Sequence, residues 1–366
     1  MAISAISMPK WGLAMEEGTI VEWLKAEGEM IAPGDDIVEI ETSKITNVVE
    51  AQHTGPITRL VAKVGETLPV GALIAVVADE SDSAADIDAF ISDFQANFET
   101  AQETAEEAAG PENIDVDGQL IMYEEQGEGD GLPLILVHGF GGDRNNWLFN
   151  LDALSADRRV IMLDLPGHGG STKNIKDASL SGMAQTVLAF ADALGVDQLN
   201  LMGHSMGGAI CLKAAEMAGE RVARVFTVCP AGLAAKVGNG FIDAFIAAER
   251  RKGMKEAALM LFSDKDLVTR DLVNDLLKFK RLDGVDAALQ ALRDGAIADG
   301  NATPVDLSKV AARVAAVIAE QDEVIPPVAA TPDTVEELRL SVGHMAHMEA
   351  AAAVNEAAAA FFKHDR

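Results

Sequence analysis

"LMGHSMGGAICLKAA", residues 201–215, runs from an apolar strand-like stretch into a helix-like one through Gly203-His204-Ser205-Met206-Gly207, with Gly208 following. A serine held at so sharp a strand-to-helix turn presents its hydroxyl at the helix N-terminus, and small flanking residues let the backbone make that turn. The pattern is that of a nucleophile elbow, but a bare G-x-S-x-G arises readily in a Gly-rich chain, so its neighbours decide. Upstream, "VHGFGGDRNNW" (137–147) ends a strand with His138-Gly139-Phe140-Gly141-Gly142, a glycine-rich backbone able to turn an amide toward a developing oxyanion. Phe140 and Met206 are the expected N–H donors.

Further out, "LPLILVHGF", "RRVIMLDLPGHG", "ARVFTVCPAG" and "VAAVIAEQDEVIP" alternate with longer helical patterns, which means a parallel sheet covered by helices. With the loop "DLPGHGGS" (164–171), the set resembles the α/β-hydrolase fold over roughly residues 119–365. That resemblance implies a base and an orienting acid in the order Ser205, Asp322, His344. Asp322 follows a strand and precedes Pro326; His344 directly follows Gly343. Glu320 and Glu323 are alternatives to Asp322. His347 competes with His344 but is expected to pack or line the site, and His138, His168 and His204 are expected to be structural hydrogen-bonders. Between two sheet strands, residues 231 to about 305 carry helical patterns expected to form a cap. They hold Arg250, Arg251, Lys252, Lys255, Lys278, Lys280 and Arg281, read either as a solvated basic face or as an anchor for the phosphates of coenzyme A.

The first 80 residues have a different pattern. Shifted by 37, "WLKAEGEMIAPGDDIVEIE" (23–41) lies over "LVAKVGETLPVGALIAVVA" (60–78), matching Gly28 to Gly65, Gly34 to Gly71 and Ile37 to Ile74. Two such β-rich halves predict a small all-β sandwich with a pseudo-two-fold axis. "ETSKITNVVEA" (41–51) places Lys44 between the halves, in a turn that presents it to solvent. Glu41, Thr42, Ser43 and Lys44, with Gly55 downstream, resemble the lysine hairpin of lipoyl domains of 2-oxo acid and acetoin dehydrogenase complexes. Ser43 stands where many of them carry aspartate. Related biotin carriers flank their lysine with methionines, whereas Ser43 and Ile45 stand here, so the resemblance implies covalent lipoate on Lys44.

From Val64 to Asp143 there is no Lys or Arg. Ile87, Phe90, Ile91, Phe94 and Phe98 recur at helical spacing, predicting an amphipathic helix that docks on a neighbouring domain or binds a partner. "ETAQETAEEAAGPEN" (99–113) reads as a flexible, self-repelling tether. The expected organisation is a lipoyl domain at 1–80, an acidic linker with one helix at 81–118, and an α/β-hydrolase domain at 119–366.

Fifty-eight acids against 29 bases give a formal charge of −29, which opposes nucleic acid and anionic membrane as partners. Two cysteines and a start, "MAISAISMPK", without a long apolar run indicate neither a disulfide scaffold nor a secretory signal; a cytoplasmic protein is expected. A lipoyl domain followed by an α/β-hydrolase resembles the dihydrolipoamide acetyltransferase components of acetoin dehydrogenase complexes. The resemblance implies acetyl transfer to coenzyme A, a thiamine-diphosphate-dependent acetoin dehydrogenase and a flavin dihydrolipoyl dehydrogenase as partners, a homo-oligomer, and no metal. The "H-x-x-x-D-G" ending of ordinary 2-oxo acid acyltransferases is absent, so any chemistry rests on the triad. Two other functions stay open at this point: an ester or thioester hydrolase with a fused carrier, and a carrier or scaffold with an idle hydrolase fold.

Overall fold

The computed structural model describes residues 3–9, 17–42, 46–51, 53–78, 82–107, 111–233, 239–297 and 305–363. The chain divides into two compact units, Met1–Ala108 and Ala109–Arg366. No helix among the described residues is long and apolar enough to cross a membrane.

The first unit is a sandwich of two four-stranded sheets. One sheet is ordered β1 (Ser4–Ser7), β8 (Leu73–Val77), β6 (Gly55–Leu60), β3 (Met30–Ile31), the other β5 (Thr46–Glu50), β4 (Asp36–Glu41), β2 (Glu17–Trp23), β7 (Thr67–Pro69). The 37-residue repeat is physical. The Leu24 amide donates to Ile37 O and the Val61 amide to Ile74 O; the Ile20 amide donates to Glu66 O and the Ile57 amide to Glu29 O. Gly28 and Gly65 have φ of 87° and 83°, so both turn positions need a residue at ease in the left-handed region. Ile20, Ile37, Ile57 and Ile74, related in pairs by the same shift, are all fully buried between the sheets, each contributing about 2 kcal/mol of apolar burial.

The amphipathic helix, α1 (Ala84–Glu107), belongs to this unit. Its stripe of Ile87, Phe90, Ile91 and Phe94 packs with Leu73, Val76 and Ala78 on the outer face of β8. Two parts of the expected tether are therefore structured. The helix continues through residues 99–107, and Glu112–Val116 forms strand β9, antiparallel to β10 (Gln119–Gln126), in the second unit. "ENIDV" is acidic yet alternates, with Ile114 and Val116 turned inward, as an edge strand half open to water does.

The second unit is an eight-stranded sheet ordered β16-β15-β14-β13-β11-β12-β10-β9. Strands β11 (Leu134–Val137), β12 (Val160–Leu163), β13 (Leu199–His204), β14 (Val222–Val228), β15 (Arg313–Ala319) and β16 (Val335–Leu340) run parallel. Alternate residues of one strand feed opposite cores: Ile135 and Val137 join one cluster, Leu134 and Leu136 the other. This two-sided burial is why these strands read as unbroken apolar runs. Helices α2 (Leu151–Leu154), α3 (Leu180–Ala193), α4 (Met206–Ala218), α9 (Ala346–Glu349) and α10 (Ala351–Phe362) accompany the sheet. Between β14 and β15 come α5 (Asn239–Ala247), α6 (Arg251–Leu259), α7 (Arg270–Lys280) and α8 (Val285–Asp294), within the stretch expected to form a cap.

Candidate active site

Ser205 sits between β13 and α4 with φ 56° and ψ −119°, a conformation that costs an L-residue about 1–3 kcal/mol. The surroundings hold it there. Its amide donates to Val228 O, and its carbonyl accepts from the amides of Gly208, Ala209 and Ala231. The glycines of the motif are steric necessities: a Cβ on Gly207 would lie 2.2 Å from Val137 O, and one on Gly203 2.3 Å from Gly207 O.

His344 Nδ1 donates to Asp322 Oδ2 at 2.7 Å, and both side chains are buried. The other carboxylate oxygen, Oδ1, accepts from the amides of Val324 (2.7 Å) and Ile325 (2.8 Å). With Nδ1 engaged, Nε2 is left as the basic nitrogen of His344. Glu320 and Glu323 are exposed, and Glu323 is paired with Lys265 at 3.0 Å. Cys229 places its sulfur within 4.8 Å of the Asp322 and His344 ligand atoms. Burial, and secondarily the Asp322 charge, push that thiol well above its ordinary range, so it stays neutral.

Ser205, His344 and Phe140 open onto one cavity of about 390 Å³. In the glycine loop, the Gly141 amide is spent on His168 Nε2 and the Gly142 amide on Gly139 O. Among the described residues the amides of Phe140 and Met206 are donated to no protein acceptor. Met206 is the first residue of α4, so its N–H is one of those a helix leaves unpaired at its positive end. Two such amides beside a serine can hold an oxyanion.

The other histidines of the motif loops pack. His138 Nδ1 donates to Gly139 O while Nε2 accepts from the Leu165 amide; His204 Nε2 donates to His344 O. His347 lies against Trp147 and His204, outside the cavity wall, and burial holds it neutral, its pKa lowered to about 3. The cavity roof could not be read from the sequence. Phe241, Phe245, Leu272, Leu276 and Phe279 of the cap face the serine, and Phe245 sits so close over Gly141 that a Cβ there would approach within 2.8 Å. Asn145 and Asn146 supply a polar edge.

In the first unit, Glu41 pairs with Thr46 across β4 and β5, so residues 42–45 connect the two strands. Lys44, with Ser43 and Ile45, falls outside the described residues.

A nucleophile-elbow serine, a histidine–aspartate pair and a helical cap over a parallel sheet define an α/β hydrolase, here preceded by a lipoyl-type sandwich. Residues 133–350 match the model of the alpha/beta hydrolase fold, and residues 4–77 that of the biotin-requiring enzymes. Among solved structures, a meta-cleavage product hydrolase from Pseudomonas fluorescens IP01 superimposes with a TM-score of 0.63 at 22% identity, covering 70% of this chain and 98% of that one. The chain is 45% identical to the dihydrolipoyllysine-residue acetyltransferase component of the acetoin cleaving system of Pseudomonas putida over 99% of both. It is 40% identical to that of Cupriavidus necator, over 95% and 94%. The chain belongs to the family of dihydrolipoyllysine-residue acetyltransferase components of acetoin cleaving systems.

Proposed function

We propose that Ser205, His344 and Asp322 carry the acetyl transfer of this family, from a lipoyl-lysine thioester to coenzyme A, in two half-reactions at one serine. The observation that carries this reading is the single cavity shared by Ser205, His344 and Phe140 beneath an apolar cap. Lipoate on Lys44 supplies the acyl thioester on a long arm, and tethering raises its effective concentration at the serine. His344 Nε2 takes the Ser205 proton as Oγ attacks the thioester carbonyl carbon. The Phe140 and Met206 amides hold the oxyanion. When the carbon–sulfur bond breaks, His344 returns the proton to the departing thiolate, leaving acetyl-Ser205. In the second half the coenzyme A thiol gives its proton to His344 and attacks the acetyl ester, and Ser205 leaves and regains that proton. Asp322 keeps the tautomer of His344 that both halves need.

The exposed bases of the cap are the proposed anchor for the coenzyme A phosphates. As one component of a multienzyme system, the chain takes its acetyl group from a thiamine-diphosphate-dependent acetoin-cleaving component, is reoxidised by a flavin dihydrolipoyl dehydrogenase, and works as a homo-oligomer. A cytoplasmic setting suits its two free, buried cysteines.

Rapid-quench mass spectrometry with acetyl-dihydrolipoamide tests the route: an acetyl adduct is expected on the Ser205 peptide, discharged by coenzyme A faster than by water. Ser205→Ala is expected to lose about a thousandfold or more in rate. Near wild-type transfer by that variant overturns the acyl-serine route, and discharge to water alone makes the protein a hydrolase.

A further inference from the structure

The loop that ends α6 and the loop that carries the general base are fastened together. Glu349, five residues after His344, accepts three hydrogen bonds on its half-buried carboxylate. Oε1 takes the Ser263 amide (2.6 Å), and Oε2 takes both the Ser263 hydroxyl (2.7 Å) and the Gly343 amide (2.7 Å). Beside it, the Met345 amide donates to Leu261 O at 3.0 Å, so the residues before and after His344 are both tied into this junction. The fit leaves no slack: a Cβ on Gly343 would lie 2.4 Å from the Ser263 amide nitrogen and 2.8 Å from the Phe262 carbonyl carbon. Leu261 and Phe262 on one side, and His344 and Met345 on the other, line the same cavity. Asp322 is joined to the same cap segment one residue away, where Glu323 pairs with Lys265, whose Nζ also donates to Leu259 O and Phe262 O.

We infer that Glu349 is a positioning residue for the acetyl transfer: it locks the His344 loop to the cap, so that Nε2 meets Ser205 only while the acyl pocket is assembled. The lock lies beyond the triad's own hydrogen bonds, since Asp322 fixes the ring of His344 whereas Glu349 fixes the backbone from which the ring hangs. A carboxylate is required because all three partners are donors and no neutral side chain offers acceptors to both oxygens' donors at once.

The inference rests on the reading of Ser205, His344 and Asp322 as the catalytic set, and the experiment separates the two. With the full-length protein, acetylation by p-nitrophenyl acetate is followed by its burst, whose amplitude counts functional sites, and transfer from acetyl-dihydrolipoamide to coenzyme A is followed in parallel. Glu349→Ala is expected to lower kcat for both donors about 10- to 100-fold per functional site with KM for the small ester changed less than about twofold, as misplacing a catalytic group does. Glu349→Gln keeps one acceptor oxygen for Ser263 Oγ and Gly343 and turns an NH2 toward the Ser263 amide; an intermediate loss is expected, and this variant carries the test if the alanine variant does not fold. Ser263→Ala, which removes one of the three donors, is expected to lose least. A raised KM for the lipoyl donor with an unchanged ester kcat would make Glu349 a wall of the pocket and overturn the inference, as would a reduced burst amplitude with normal turnover per site. Loss of the burst in Ser205→Ala beside a normal Glu349→Ala overturns the lock alone; a burst surviving in Ser205→Ala overturns the catalytic reading beneath it.

Discussion

Asp322 presents its two carboxylate oxygens to unlike partners: Oδ2 to the ring of His344, Oδ1 to the amides of Val324 and Ile325. In Asp322→Asn the amide oxygen must serve the two backbone donors, because an NH2 there would face two N–H groups. The NH2 then points at His344 Nδ1 and selects the tautomer with the proton on Nε2, which cannot accept from Ser205. A loss of about 10⁴ in kcat is expected with the fold intact, the size such a tautomer error has elsewhere. Steady-state acetyl transfer measured beside circular dichroism checks both halves of this expectation.

Gly207→Ala is expected to damage stability and turnover together. The new methyl would meet Val137 O at 2.2 Å and His138 O at 2.5 Å, backbone atoms with no freedom to yield. Overpacking of this kind costs about 1–3 kcal/mol. The strain falls on the segment that leads to the Phe140 amide. Urea denaturation reads the first effect and kcat the second; an unchanged midpoint would mean that the elbow is looser than its contacts indicate.

The buried histidines make the fold sensitive to acid. His347 has its pKa lowered from 6.5 to about 3 by burial and then by His344, and burial lowers His138, His168 and His204 as well. Because these folded-state values lie below the unfolded one, the unfolded chain binds the extra protons first. The stability is whole above about pH 6.5 and declines as pH falls toward the folded values. At pH 5 the His347 contribution alone amounts to about 2 kcal/mol lost. His347→Phe, which keeps a ring against Trp147, is expected to shrink the difference in unfolding free energy between pH 7 and pH 5 by about that amount.

On the cap, Lys280 is buried on Asp286 and Lys278 is paired with Asp275, whereas among the described residues Arg250, Lys252, Lys255 and Arg281 are exposed and without an ion pair. Reversing Arg250, Lys252 and Lys255 to glutamate is expected to raise KM for coenzyme A about tenfold or more, with kcat and KM for acetyl-dihydrolipoamide little changed, and to flatten the salt dependence. An unaltered KM would return these residues to a plain solvated face.

Much of the molecule is legible in the sequence because it is local. The elbow is five consecutive residues, and the sandwich repeats itself at a spacing of 37. Asp322 and His344 follow strands β15 and β16, in the order after Ser205 that the resemblance to α/β-hydrolases implies. What escaped is what the fold brings together. Ser263 and Glu349 meet across 86 residues, and neither residue type is unusual at its place. The aromatic roof of the cavity looks in sequence like any helix core. Strand β9 hides inside an acidic stretch because an edge strand needs apolar residues on one face only.

The proposed oxyanion donors at Phe140 and Met206 are backbone amides, so on that proposal the chain's path itself would perform that part of the chemistry. A saturation scan is therefore expected to show losses of packing at Phe140 and Met206, whose side chains are buried, and losses of backbone path at Gly139, Gly141 and Gly207, where an added Cβ would collide with its neighbours.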